Sequence, residues 1–133
     1  MLITNKQDIM ETGFNPIKSF MDLEVYRLAH KLAMDVFWIS AGFPVEERYS
    51  LTDQIRRSSR SVAANIAEGW GKRKYPLSFK KQLVDANGSL EETKSWIMFA
   101  RDCKYISIEQ FDSLFPEYET LGGKLWRLEE RWK

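Results

Sequence analysis

The sequence has few of the residues on which most catalytic and metal sites depend. Its 133 residues include one histidine, His30, and one cysteine, Cys103. A single cysteine forms no internal disulfide, and a zinc site needs several Cys or His ligands. A lone helical histidine is far more often a packing or surface residue than a general base. We therefore expect no enzymatic activity, no metal and no cofactor.

Other absences narrow the class of protein. Four prolines and seven glycines exclude collagen-like and disordered chains. No apolar run approaches the roughly 20 residues that span a bilayer, and no signal-peptide pattern opens the chain. The adjacent pairs Glu91-Glu92 and Glu129-Glu130 point to different helix faces, so neither forms an acid–base dyad. We expect a cytoplasmic protein with one domain.

Hydrophobic residues, in contrast, are plentiful and periodic. They make up 44% of the chain and include five Trp, five Tyr and eight Phe, a residue class that fills cores and subunit interfaces. Apolar residues recur at helical spacing in four segments joined by short connections. The predicted helices cover 21–41, 51–69, a segment that starts near Ser78, and a segment that starts at Ser107 and Gln110 in capping-box spacing. An all-α, antiparallel up-down-up-down four-helix bundle over residues 19–133 accommodates this pattern.

Several residues interrupt the pattern. Pro116 predicts a kink or a short 108–115 segment, because proline in a helix interior costs about 3 kcal/mol. Gly122-Gly123 would allow another backbone to approach closely. Ser50 and Gly69 are expected to cap the two ends of the second helix.

Residues 1–18 show no firm period and are interpreted as an arm that is flexible or docked on a partner.

The second predicted helix carries two ridges side by side. Leu51, Ile55, Val62 and Ile66 form the apolar ridge. A polar row runs beside it at spacings of four and three and consists of Gln54, Ser58, Ser61, Asn65 and Glu68. Such a row can hydrogen-bond between helices of one bundle, hydrogen-bond across a subunit boundary, or lie on a partly exposed face.

The positive charge is concentrated in one part of the chain. The net charge is +1, but residues 51–81 carry eight bases against Asp53 and Glu68. The bases are Arg56, Arg57, Arg60, Lys72, Arg73, Lys74, Lys80 and Lys81. This window is a candidate surface for nucleic-acid phosphates, with Trp70 and Tyr75 as platforms for base stacking. It is equally compatible with a solvated face held by salt bridges such as that of Arg57 with Asp53.

A family resemblance rests on motifs throughout the chain. The segments Gln54–Arg57, Ser61–Gly69 and Gly88–Glu92, together with Phe20–Tyr26 and Phe43–Tyr49, resemble those of the 23S rRNA intervening-sequence proteins. The resemblance covers about residues 19–132 and implies a cytosolic bacterial protein that forms a ring of five four-helix bundles. The family has no assigned enzymatic activity. Relatives serve as accessory proteins of diversity-generating retroelements, in which a basic pentamer engages a reverse transcriptase and nucleic acid.

Two hypotheses about function follow from these observations. The leading one is a non-enzymatic homo-oligomer, a pentamer by the resemblance, that binds RNA or a ribonucleoprotein through the basic window. The alternative is a protein–protein interaction scaffold without a nucleic-acid role. Neither hypothesis involves a membrane or a small-molecule substrate.

Overall fold

The computed structural model of the chain describes residues 17–133, which contain four α-helices and two short 3₁₀ helices but no strand. The α-helices are α1 (Glu24–Ser40), α2 (Leu51–Gly71), α3 (Pro76–Asp102) and α4 (Ile108–Arg131). The 3₁₀ helices are Phe20–Asp22 and Val45–Glu47. The expected all-α fold with four helices is confirmed. The predicted arm falls mostly on residues 1–16, which lie outside the described residues.

The first helix begins three residues later than predicted. Ser19 and Asp22 form a capping box on the 3₁₀ turn, in which the Ser19 hydroxyl accepts from the Met21 N–H and the Asp22 carboxylate accepts from the Ser19 N–H. The Lys18 and Ser19 N–H groups lower the pKa of Asp22 because they stabilise its charged form. This turn leads the chain into α1.

We expected Gly69 to end the second helix, but α2 continues through Gly71. Gly69 is buried, and a Cβ atom there would lie 2.9 Å from Cβ of Gln82 on α3. The residue therefore permits a close approach of two helices. Ser50 holds the N-cap position, but its hydroxyl donates to the Glu47 carboxylate at 2.5 Å and makes no capping bond.

The third helix starts at Pro76, two residues before the predicted start at Ser78. Proline is tolerated in the first turn, where its missing N–H has no helical partner. The helix ends at Asp102, with Cys103 as its C-cap, and Lys104 follows at a φ of 63°. The left-handed residue closes this terminus.

The fourth helix passes through Pro116 without interruption, so the predicted short 108–115 segment was wrong. Pro116 is exposed, and the lost hydrogen bond therefore faces water, while Leu114 and Tyr118 on either side are buried. Core packing on both sides of the proline holds one continuous helix. The capping box of Ser107 and Gln110 is confirmed.

The core consists of apolar residues from all four helices. Every predicted core position of α3 from Phe79 to Ala100 is buried, as is the α4 series from Leu114 to Trp132. A Cβ on Gly122 would meet only side-chain atoms, of Leu90 and Asn87, at 3.5 Å or more, so the expected close backbone approach is absent there. No helix within residues 17–133 combines the length and apolarity needed to cross a bilayer.

Candidate nucleic-acid interface

The polar row of α2 meets a second polar row on α3 of the same chain. The Thr93 hydroxyl donates to the Ser58 oxygen over 2.8 Å, and both side chains are buried. One turn further, the hydroxyls of Ser61 and Ser89 lie 2.8 Å apart. These contacts lie between two helices of one bundle, which is one of the alternatives that the sequence had left open.

The same network extends towards the end of α2. The Gln82 amide donates to Asn65 Oδ1 over 2.9 Å, and Asn65 in turn donates to the Ser61 carbonyl over 2.9 Å. Lys72 donates to Gln82 Oε1 over 3.3 Å and to Glu68 Oε2 over 2.8 Å. Because buried polar groups are costly without partners, this chain of bonds sets the register of α2 against α3. Gln54, the first member of the row, is exposed, and its side chain has no hydrogen-bond partner within residues 17–133.

Arg56, the first base of the window, is directed into the bundle. Its Nε donates to the Ser40 hydroxyl over 2.8 Å, and its guanidinium lies 4.7 Å from the ring centroid of Phe37. Both partners are on α1. Arg56 therefore joins α1 to α2, and its guanidinium is held in these contacts with uncharged partners.

Arg57 and Arg60 point outward. Arg57 pairs with Asp53 over 2.9 Å, which is the salt bridge anticipated by the alternative interpretation. Arg60 is exposed and has no acidic partner in the part of the chain that the structure describes. Of the three arginines, Arg60 is thus the one whose guanidinium has no hydrogen-bond, ionic or aromatic partner in residues 17–133.

The loop after α2 contains a base, Arg73, that also has partners within the chain. The Arg73 guanidinium lies 4.1 Å above the Trp70 ring and donates to the Trp70 carbonyl over 2.9 Å. Trp70 is buried, so the prediction that it offers a surface for base stacking was wrong. It belongs to the core, and Arg73 covers it.

Tyr75 remains as the aromatic platform of this loop, with 63% of its surface exposed. Lys74 lies 5.8 Å from its ring centroid. Lys80 has no acidic partner among the described residues, whereas Lys81 pairs with Asp85 over 2.9 Å. Lys74, Tyr75 and Lys80 are therefore available to a ligand.

The structure separates the two parts of the basic window. Arg56 and Lys72 are sixteen residues apart on or beside α2, which is about 24 Å along the helix axis. The arginines lie where α2 begins, beside the end of α1, and the lysines lie where α2 ends and α3 begins. The sequence window is hence two surfaces rather than one.

Residues from other helices complete the charge pattern. Cutting each helix at its midpoint gives one half made of 17–31, 62–89 and 120–133, which holds twelve bases and six acids. The other half, 32–61 and 90–119, holds seven bases and eleven acids. We call the outer loops and turns of these halves the basic end and the acidic end. The charge thus differs by ten between the two halves, +6 against −4, which the linear sequence does not show.

The last turns of α4 supply basic residues that sequence reasoning did not include. Trp132 packs edge-to-face on Phe79, with ring centroids 4.5 Å apart, which brings the end of α4 beside the start of α3. Arg127, Arg131 and Lys133 therefore join the half that carries Lys74 and Lys80. The available signal was the run of four bases against two acids in residues 124–133.

The acidic end is closed by a carboxylate that accepts three hydrogen bonds. Glu47 receives the hydroxyls of Ser50 and Tyr105 and the N–H of Leu51. These donors lower the pKa of Glu47, Ser50 contributing most. The bond to Glu47 in turn raises the pKa of Tyr105 to about 12. We call this group, which joins the α1–α2 and α3–α4 connections, the Glu47 latch.

Nothing in the described residues resembles a reaction centre. His30 is exposed and lies 3.3 Å from the Tyr26 hydroxyl, and no cluster of three potential metal ligands occurs in residues 17–133. Cys103 is exposed at the end of α3, not buried as a free cysteine commonly is. Tyr118 is buried without a hydrogen-bond partner, and burial raises the pKa of its hydroxyl.

Comparisons with known proteins agree with this fold. The sequence profile of the 23S rRNA-intervening sequence protein family matches residues 21–127. A crystal structure of a protein with unknown function from the S23 ribosomal protein family of Bacteroides thetaiotaomicron VPI-5482 superposes with a TM-score of 0.73. It is 22% identical in sequence, and the match covers 80% of this chain and 98% of that one. No curated protein sequence matches the chain.

Proposed function

Since the chain belongs to the family of 23S rRNA-intervening sequence proteins, we propose that it is a non-enzymatic, oligomeric helical bundle that binds RNA or a ribonucleoprotein through its basic end. One observation carries the binding role. Lys74 and Lys80 lack acidic partners in residues 17–133, and Lys74 lies 5.8 Å from the ring centroid of the exposed Tyr75. Unpaired cations bind phosphates, and an exposed ring can stack on a base.

The proposal includes an antiparallel up-down-up-down arrangement. Three pairs of contacts between α3 and α4 support it, because residue numbers rise along one helix as they fall along the other. These pairs are Phe79 with Trp132, Lys94 with Phe115, and Arg101 with Phe111. Between α1 and α4, Glu24 bonds to Lys124 and Lys31 bonds to Glu117 in the same opposed order.

Self-association into a homopentamer is the second part of the proposal. The outward face of α3 carries seven exposed residues at spacings of four and three: Leu77, Lys81, Val84, Gly88, Glu91, Ser95 and Met98. A Cβ on Gly88 would meet nothing within 4 Å, so no contact within residues 17–133 accounts for a glycine there. Glycine in a helix interior costs about 1 kcal/mol relative to alanine, and a second copy packed closely on α3 would explain it.

Light scattering of the purified protein measures the assembly directly. A pentamer gives a mass near five times the 15.7 kDa of one chain. A mass of one chain at micromolar concentration would contradict the oligomer.

Charge reversal tests the RNA role. Lys74→Glu with Lys80→Glu should weaken binding of a labelled single-stranded RNA about tenfold or more at low salt, because two phosphate contacts are replaced by repulsion. The slope of log K against log salt should fall by about one per lost contact. Fluorescence anisotropy over a salt series provides both quantities.

The matched control reverses two exposed bases of the other half, Arg60→Glu with Lys104→Glu, and so changes the net charge equally. This control should bind RNA within about twofold of the wild type, because the acidic half makes no phosphate contact under the proposal. Arg56 is unsuited to such a test, since its substitution would also break contacts to α1. Equal weakening in both double variants, or no binding by the wild type at low salt, would contradict an RNA site at the basic end.

A protein–protein scaffold without a nucleic-acid role is the second candidate. It is favoured by the five window bases that already have partners in the chain: Arg56, Arg57, Lys72, Arg73 and Lys81. An intact oligomer that binds no RNA at low salt would establish this alternative. In either case we place the protein in the cytoplasm, in keeping with its single, exposed cysteine.

A further inference from the structure

The acidic end exposes large apolar side chains that no other part of residues 17–133 covers. The exposed fractions are 85% for Tyr49, 74% for Val45, 61% for Ile108 and 54% for Phe99. Single exposed apolar residues are normal on a protein surface, whereas a group of them marks an interaction site. Whether these four form a group depends on how their segments are joined.

The Glu47 latch brings the segments together. Tyr105 of the α3–α4 connection donates to Glu47 of the α1–α2 connection over 2.8 Å, and the ring centroids of Phe43 and Tyr105 are 5.7 Å apart. Val45 is two residues from Glu47, and Ile108 is three residues from Tyr105. Both residues therefore lie in, or directly beside, the two connections that the latch joins, at the same end of the bundle.

The latch also fixes this surface in place. The Glu47 carboxylate holds its own connection through Ser50 and Leu51 and holds the other connection through Tyr105. A surface that is already ordered loses little conformational entropy when a partner binds.

The surrounding charges determine what such a surface can accept. The two connections at this end and the helix turns beside them carry four exposed carboxylates, those of Glu46, Asp102, Glu109 and Asp112. The opposing bases are Arg48, which lies 5.7 Å from the Tyr49 ring, Arg101, which pairs with Asp102, and Lys104. Acids remain in excess, and a partner with basic groups around an apolar centre is complementary.

We propose that the acidic end docks a segment of a partner protein that presents apolar side chains flanked by lysine and arginine. This role goes beyond RNA binding and uses the opposite end of the molecule. The basic end of a second copy has similar chemistry, but the self-contact proposed above lies on the outward face of α3, so an end-to-end contact would require a second interface between copies. A separate partner protein is therefore the proposed occupant.

A defined peptide can probe this surface. The probe is a fluorescein-labelled, 14-residue amphipathic helix of leucine and lysine, with a scrambled peptide of equal composition as its control. The full-length protein should bind the amphipathic peptide more tightly than the scrambled one. Anisotropy measures both affinities.

Two variants locate the binding site. Ile108→Lys should weaken binding about tenfold or more, as loss of a central apolar contact does at other interfaces. Met21→Lys, at a position of nearly equal exposure (59%) in the basic half, should change it less than twofold. Because both side chains are exposed, the thermal midpoints should stay at the wild-type value. Val45→Lys repeats the test if Ile108→Lys fails to fold.

Three results would overturn the proposal. One is equal loss in the Ile108 and Met21 variants, and another is equal binding of the two peptides. The third is sedimentation that shows wild-type copies associating end to end and Ile108→Lys abolishing it, since the occupant would then be a second copy. RNA binding, measured in parallel on the same variants, fails or succeeds independently because it is assigned to the other end.

Discussion

The two ends of the bundle are closed in different ways. At the basic end, Trp132 packs on Phe79 and Arg73 covers Trp70, so aromatic rings fill the interior. At the acidic end, the Glu47 carboxylate gathers three donors and joins two connections. Both ends expose apolar side chains, for example Tyr75 and Leu77 at the basic end and Val45 and Tyr49 at the acidic end. The exposed charge differs, with unpaired lysines at the basic end and an excess of carboxylates at the acidic end, which is why we assign different ligands to the two ends.

The largest expected effect is on the free energy of unfolding and concerns Trp132 at the basic end. Trp132→Ala should lower the free energy of unfolding by about 3–5 kcal/mol, because it leaves a cavity beside Phe79. Trp126→Ala, at an exposed position of the same helix, should change it by about 0.5 kcal/mol or less. Denaturant unfolding of the two variants gives both values. Similar losses in both would show that packing at Trp132 does not hold this end.

Alanine substitutions of two glycines on neighbouring helices should change the stability by an intermediate amount, in opposite directions. Gly69→Ala should destabilise the protein by about 1–3 kcal/mol, since its Cβ would lie 2.9 Å from Gln82 and 3.0 Å from the Phe79 ring. Gly88→Ala should stabilise a single bundle by about 1 kcal/mol. If Gly88 lies in the proposed oligomer contact, the same change should weaken assembly. Unfolding curves and light scattering distinguish these outcomes, and a stable, fully assembled Gly88→Ala variant would remove the support that this glycine gives to the oligomer.

The smallest effect is the pH dependence of the Glu47 latch. The pKa of Tyr105 is raised to about 12, so the stability that its protonated hydroxyl contributes is complete below pH 10 and is lost as the pH rises towards 12. The pKa of Glu47 is lowered, so the contribution of its carboxylate is present above the ordinary value of 4.5 and is lost as the pH falls below it. The stability difference between the wild type and Tyr105→Phe should therefore be largest between pH 4.5 and 10.

Thermal unfolding at several pH values measures that difference. Tyr49→Phe is the control, because the Tyr49 hydroxyl has no hydrogen-bond partner among the described residues and its removal should matter equally at every pH. A Tyr105→Phe effect that stays constant from pH 3 to 12 would contradict the latch.

Much of the fold could be predicted because apolar periodicity follows directly from helix geometry. The α3 series from Phe79 to Ala100 and the capping box of Ser107 and Gln110 both depend on residues close in sequence. Predictions failed where packing overrides local preference. Pro116 stays inside α4 because buried neighbours on both sides hold the helix, and Gly69 stays inside α2 because α3 approaches it closely.

The candidate site was less predictable, because the environment of a charge depends on other helices. The sequence identified the eight bases of residues 51–81, but it could not show that Arg56 bonds to Ser40 or that Trp70 lies beneath Arg73. Nor did it indicate that Arg131 and Lys133 would come to lie at the end occupied by Lys74.

By itself, the sequence determined four helices, their apolar seams and the polar row of α2, because each depends on spacings of three and four residues along one helix. Only the tertiary structure decided which charges share a surface. Arg56 and Lys72, which belong to one window of the sequence, lie about 24 Å apart along α2, while the start of α3 and the end of α4 meet. A single basic window thereby became a basic end and an acidic end, since an electrostatic surface depends on distances in space and not on order in the chain.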